Sequence, residues 1–141
     1  MLETQEESGL QMAESGAAQA DQSFENAKLL AQIASDYKGQ DTLLLDMREI
    51  TPIVDYFVIT TAAVSRQMNA MAEEADRVMK KRGLPKLGGE GDDAASVWLL
   101  RDYGDAVLHV FTPEGRELYD LEGLWADARR VEFGVAPKAD A

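Results

Sequence analysis

The stretch VWLLRDYGDAVLHVFT, residues 97–112, contains two strand-like runs, Val97–Asp102 and Ala106–Thr112, joined by the turn Asp102-Tyr103-Gly104-Asp105. Gly104 suits the positive φ that such a turn demands. On strand alternation Trp98, Leu100 and Asp102 share one face, and Val97, Leu99 and Arg101 share the other. Apolar residues therefore fall on both faces of this hairpin. That pattern belongs to a sheet largely covered by helices rather than to one with a fully wetted side.

Upstream, Thr42–Met47 (TLLLDM) and Asp55–Thr61 (DYFVITT) are two more apolar, β-rich runs separated by the break at Thr51-Pro52, and they form a hairpin-like pair. A helix precedes them. Phe24, Ala27, Leu30, Ala31, Ala34 and Tyr37 recur at helical spacing, with Ser23 as its expected cap and Gly39 as its stop. A second helix follows, with Ser65 expected to cap it. Met68, Met71, Ala72, Ala75, Val78 and Met79 line its inner side, and Gly83 and Pro85 end it. Residues 88–91 (GGEG) read as a turn-rich connection. Thr112-Pro113-Glu114 opens a last helical region with a cap, a proline at the first position and an acid in the first turn. Leu118, Leu121, Leu124, Trp125 and Ala128 are expected on its inner side, with Gly123 an irregularity. The whole predicts an α/β (α+β) fold, a mixed β-sheet flanked by helices in a two-layer architecture. One patch of the sheet is expected to remain open.

The chain has 141 residues, 45% of them hydrophobic, enough for one domain with a real core and not for two. That domain is placed at 23–133, between a flexible acidic extension over 1–22 and a flexible tail over 134–141. No apolar run approaches the ~20 residues of a membrane helix. No signal peptide is visible, so a cytoplasmic location without membrane contact is expected. Cysteine is absent, which removes disulfides, thiolate metal sites and thiol nucleophiles.

Charge narrows the functional classes. The net charge is −12, and setting aside the six acids of the first 26 residues, which include no base, still leaves −6. No Lys/Arg stripe exists to neutralise phosphates, so nucleic acid is not expected as the main contact. An acidic surface is steered instead toward basic partners.

Catalytic patterns are thin. The Gly-rich stretch lacks the Gly-Lys-Ser/Thr of a phosphate loop and carries Glu90, Asp92 and Asp93, which repel phosphate. His109, the single histidine, sits mid-strand with no cysteine or second histidine to complete a zinc site, and reads first as a packed or hydrogen-bonded strand residue. An enzyme reading uses Asp46 and Asp55 near strand ends to hold magnesium, with the Ser65-Arg66 helix start for an anion. It describes a magnesium-dependent nucleotidyl- or phosphotransferase and stands as the alternative. The ordinary reading of the same residues is a cap and surface acids, with no catalytic residue, metal or cofactor. Near the hairpin, Trp98 and Leu100 rimmed by Asp102 and Asp105 make a docking patch for a basic protein, unless Trp98 packs beneath a helix. A patch of that kind can also pair with a second copy, so a monomer or a weak homodimer is expected.

Taken in order along the chain, these segments resemble one family. They are Leu45-Asp46-Met47-Arg48, Asp55-Tyr56-Phe57-Val58-Ile59, Ser65-Arg66-Gln67, Glu90-Gly91, Trp98 to Phe111, and Arg116-Glu117-Leu118-Tyr119-Asp120-Leu121-Glu122-Gly123-Leu124-Trp125. Together they are similar to the ribosomal silencing factor (RsfS, or Iojap) family over about residues 25–130. The resemblance implies a sheet related to nucleotidyltransferases without their chemistry. It implies a non-enzymatic protein that binds the large ribosomal subunit through a basic ribosomal protein, number fourteen of that subunit. Bound there, it sterically blocks joining of the small subunit and represses translation when nutrients are short. Carried onto this chain, the implied partner-binding residues are Trp98, Leu100, Asp102 and Tyr103, with Glu90 as a further candidate.

Overall fold

Strand pairing begins where β-branched and aromatic residues are densest. In the computed structural model, which describes residues 18 and 21–134, Tyr56–Thr61 (β2) lies at the centre of a six-stranded sheet. It pairs antiparallel with Gln40–Asp46 (β1) and parallel with Ala106–Phe111 (β5). Trp98–Asp102 (β4) pairs antiparallel with β5, and Gly88–Glu90 (β3) and Arg129–Arg130 (β6) form the two edges. The order is β3-β4-β5-β2-β1-β6. The sheet is mixed, as the sequence predicts, and the hairpin of residues 97–112 is present, with Gly104 at φ +94°.

Two elements of the sheet differ from the sequence reading. The Gly-rich stretch contributes an edge strand, its three residues Gly88, Gly89 and Glu90 facing Asp102, Arg101 and Leu100. The two-residue β6 hydrogen-bonds to Leu45 and Asp46 of β1. Both are too short for periodicity to reveal, and their pairing is decided by what the neighbouring strand leaves open.

Helix α1, residues 21–36, and helix α2, Ser65–Lys81, cover one face. Ala27, Leu30, Ala31, Ala34, Met68, Met71, Ala72, Ala75 and Met79 are buried there against Leu44, Tyr56, Val58, Leu99, Leu108 and Val110. Ser23 lies inside a helix already running at residue 21 and is buried, so it is not the cap. At the far end Lys38 takes the left-handed turn (φ +66°), while the Gly39 N–H closes on the Ala34 carbonyl at 2.7 Å. Ser65 is not a cap either. The capping position is Val64, with no side-chain bond, and the Ser65 hydroxyl donates to the Ala94 carbonyl at 2.7 Å. Gln67 does the local work instead, accepting from the Ala63 N–H at 2.7 Å and donating to the Tyr37 carbonyl at 2.8 Å.

The opposite face is covered less completely. Leu45, Met47, Val54, Ile59, Val107, Phe111, Leu121 and Ala128 form a second core, with Phe57, Trp98, Leu100 and Trp125 half-buried at its margin. Pro113–Tyr119 (α3) starts as predicted: Thr112 accepts from the Gly115 N–H at 3.0 Å, and Pro113 is the first helical residue. It then stops, because Asp120 adopts φ +43°, ψ +54° and caps the single turn Leu121–Leu124 (α4). The break rotates the expected inner stripe out of phase. Leu121 and Ala128 are buried, but Leu118 is 75% exposed and Leu124 71% exposed, contrary to the stripe reading. The extension over 1–22 lies outside the described residues save positions 18, 21 and 22, and the tail over 134–141 lies outside them save Gly134.

Candidate functional site

The part of the second face that α3 and α4 leave uncovered is built on β4 and β5. Their register sets Trp98 opposite Phe111 and Leu100 opposite His109, all four on this side of the sheet. Trp98 is held among three rings: stacked on Phe111 (centroids 4.9 Å, 29° between planes), tilted on Tyr119 of α3 (4.9 Å), and tilted against His109 (5.8 Å). Its indole N–H donates to His109 Nδ1 at 3.1 Å. Thus Trp98 both packs beside a helix and keeps part of its ring in the open, and the two sequence readings of it meet.

Leu100, half-exposed, is the ridge between two hollows. On one side Glu90, Gly91, Ser96, Val97, Trp98 and Tyr119 surround a shallow depression. On the other, a groove of about 350 Å³ runs between Met47, Val54, Phe57, Val107 and Trp125, with His109 in its wall and Asp102 at its rim. Ile53, 85% exposed, stands at the lip of that groove. Asp102 is half-exposed, and one carboxylate oxygen accepts from the Gly104 N–H at 2.8 Å, which fixes the carboxylate on the hairpin turn. Glu90 is exposed on the β3 edge.

Tyr103 does not join this group. It is 2% exposed on the helix-covered face, and its hydroxyl donates to Asp76 of α2 at 2.7 Å. The turn reverses the chain between Asp102 and Ala106, so adjacency in sequence does not become adjacency on the surface. Tyr119, which the helical stripe reading passed over, takes its place at the open end of Trp98 and is 48% exposed. The sequence signal for it is the break itself, an Asp120 followed three residues later by Gly123.

His109 is a buried strand histidine held by a hydrogen bond. Burial pushes its pKa down to about 3, so the ring is neutral at any ordinary pH. With Nδ1 accepting from Trp98, the proton sits on Nε2, which has no partner among the described residues. The residues of the enzyme reading are differently occupied. Both oxygens of Asp46 accept from the Arg48 guanidinium (2.9 and 2.7 Å), the Arg48 backbone N–H donates at 3.0 Å, and Arg129 adds a fourth bond at 3.3 Å. The Arg48 guanidinium holds the Asp46 carboxyl down at about 2. Among the described residues no three His, Asp or Glu side chains cluster as metal ligands.

The comparisons with known proteins bear on this geometry. Residues 20–141 match the family model described as ribosomal silencing factor during starvation. This chain belongs to the ribosomal silencing factor family. The ribosomal silencing factor of Bacillus subtilis is 39% identical over 110 residues, covering 77% of this chain and 92% of the relative. That of Chromobacterium violaceum is 35% identical over 111 residues, covering 79% and 89%. The chloroplastic Iojap protein of maize is 32% identical over 104 residues, 74% of this chain and 45% of the longer plant protein. Among solved structures, a Chromobacterium violaceum protein superposes with a TM-score of 0.66 at 30% identity, covering 84% of this chain and 95% of its own. A Bacillus halodurans protein gives 0.63 at 33% identity, covering 74% and 94%.

Proposed function

We propose that this chain silences translation without catalysis, by docking on the large ribosomal subunit and standing where the small subunit would join. The docking surface is the open part of the second sheet face, centred on Trp98 and Leu100, extended by Tyr119, and rimmed by Asp102 and Glu90. Its partner is a basic ribosomal protein, number fourteen of the large subunit, when nutrients are scarce. The observation that carries this reading is the position of Trp98: a large aromatic ring, held by a hydrogen bond, a stacked Phe111 and a tilted Tyr119, part of it still open to solvent. Anchors of that kind dominate interface energies, and a carboxylate rim steers a basic partner onto them. A net charge of −12 keeps the rest of the molecule off ribosomal RNA.

Such a mechanism asks only for occupancy and shape. An interface of about 1,600 Å² is enough to hold a protein of this size and to obstruct a neighbouring surface. The test is sedimentation through sucrose gradients, with the purified chain added to large subunits, to small subunits and to both. Co-sedimentation with large subunits alone and a reduced yield of joined ribosomes are expected. Free sedimentation beside large subunits, or undiminished joining, overturns the reading.

A further inference from the structure

We infer that His109 is the positioning residue of the docking surface: its Nδ1 lone pair fixes the rotamer in which Trp98 is presented. The inference rests on the docking reading above for its consequence, but not for its geometry. His109 is 3% exposed, in the middle of the fully buried strand β5, with Phe57 edge-on at 4.5 Å. A plain hydrocarbon ring would fill this place without a polar atom to desolvate. Histidine brings two, and one of them, Nε2–H, stays buried without a partner among the described residues. An unmade buried bond is a standing penalty. What the imidazole supplies that a phenyl cannot is the acceptor at 3.1 Å from the Trp98 indole nitrogen.

The need for that acceptor follows from where Trp98 lies. It is on β4, next to the edge, with Gly91 and Val97 as neighbours on the depression side and Tyr119, itself half exposed, beyond. On its outer side the ring borders the half-exposed Tyr119 and the shallow depression rather than the core. An indole that must be frozen on binding gives back part of its contact energy, whereas one frozen beforehand does not. The bond reaches diagonally across the β4–β5 pair, since Trp98 is opposite Phe111 and His109 is two residues earlier on β5. It therefore fixes the ring's direction along the strand, which stacking on Phe111 alone leaves free.

The unaltered protein gives the first test. Nitrogen-15 NMR should show a coupling across the hydrogen bond between the Trp98 indole nitrogen and an unprotonated His109 Nδ1, with Trp125→Phe assigning the indole signals. Absence of that coupling, or a proton on Nδ1, overturns the inference. In His109→Phe the Trp98 indole signal should move upfield and exchange faster, and affinity for large subunits should fall roughly five- to tenfold, what one hydrogen bond contributes. His109→Asn, which sets a carbonyl oxygen near the Nδ1 position, should recover the indole signal and most of the affinity, though it is the less stable variant; a filler histidine predicts the reverse ranking. If the indole loosens in His109→Phe while affinity holds, the positioning role is refuted. If Trp98→Ala also leaves affinity unchanged, it is the docking reading that has failed.

Discussion

The hydroxyl of Tyr103 donates to Asp76 of α2 at 2.7 Å, and the same carboxylate accepts from the buried Arg101 Nε at 3.1 and 3.2 Å. Arg101 also donates to Asp92 at 2.6 Å and to the Leu100 carbonyl at 3.2 Å, so one guanidinium ties α2 to the loop before β4. Burial and the Asp76 carboxylate push the Tyr103 phenol far above its ordinary range, which keeps it a donor. Tyr103→Phe should lower stability by about 1–2 kcal/mol and leave large-subunit affinity unchanged. Asp76→Ala, which takes from the buried guanidinium one of its two carboxylate partners and from Tyr103 its acceptor, should lower it by roughly 2–3 kcal/mol. Urea unfolding and gradient binding together check both. A Tyr103→Phe variant of full stability and weakened binding would return Tyr103 to the interface.

On the opposite face, substitutions should show the opposite signature. Trp98→Ala removes a half-exposed ring, so the fold should persist while affinity drops by about 2 kcal/mol or more, some thirtyfold. Tyr119→Ala, at the outer edge of the same ring cluster, should cost less, about 1 kcal/mol. Titration of labelled protein with purified large subunits measures both, and equal affinities in folded variants would remove the patch from consideration.

Asp102 offers a cleaner electrostatic probe than a charge reversal, because its carboxylate also holds the Gly104 N–H. Asp102→Asn keeps that acceptor and removes the charge. Association should slow at low salt and its salt dependence should flatten, with dissociation little changed. Stopped-flow association at several ionic strengths checks this; identical salt slopes for both proteins would mean that the rim carboxylate does not steer.

Long, strongly patterned elements were legible in the sequence. β1 and β4 each carry three apolar residues in a row, β2 and β5 carry four or more, and α2 shows a full methionine and alanine stripe, so their burial follows directly. Features set by a single residue against its surroundings were not. Asp120 breaks the last helix because its side chain caps α4 through the Gly123 N–H, a local choice that a stripe of leucines conceals and that leaves Leu118 and Leu124 in solvent. The candidate site divides in the same way. Trp98, Leu100 and Asp102 share a face by strand alternation alone, whereas excluding Tyr103 and including Tyr119 depend on how a turn and a helix end are aimed in space.

Gly91, just past the end of β3, lies against the backbone at the start of β4. Its φ is +86°, and a Cβ there would collide with the Trp98 carbonyl and with Leu99 Cα at 2.8 Å, both backbone and neither free to yield. Gly91→Ala should therefore destabilise by about 2–4 kcal/mol and detach the β3 edge, which carries Glu90. Hydrogen exchange locates the damage: faster exchange at the Leu100 and Asp102 amides with α1 and α2 amides protected is expected, and uniform protection would show that the strand tolerates the side chain.

Acid should unfold the protein in two stages with different causes. The unfolded chain takes up a proton at His109 near pH 6.5, while the native ring, at about 3, refuses it. Between those values the unfolded state binds more protons, so stability must fall as pH falls, by about 1.4 kcal/mol for each unit below 6.5. Asp46 acts later. Its native value of about 2 lies below the ordinary 3.8, so its contribution is complete above 3.8 and is lost as pH drops through about 2. From 6.5 down to 4 the decline therefore belongs to His109, and His109→Phe should flatten it there while leaving the steeper fall below 4. Urea midpoints at pH 7, 5.5, 4.5 and 3.5 for both proteins decide the matter. Parallel curves above pH 4 would mean that the imidazole is charged in the native state, and the bond that Trp98 gives to Nδ1 would then have no lone pair to receive it.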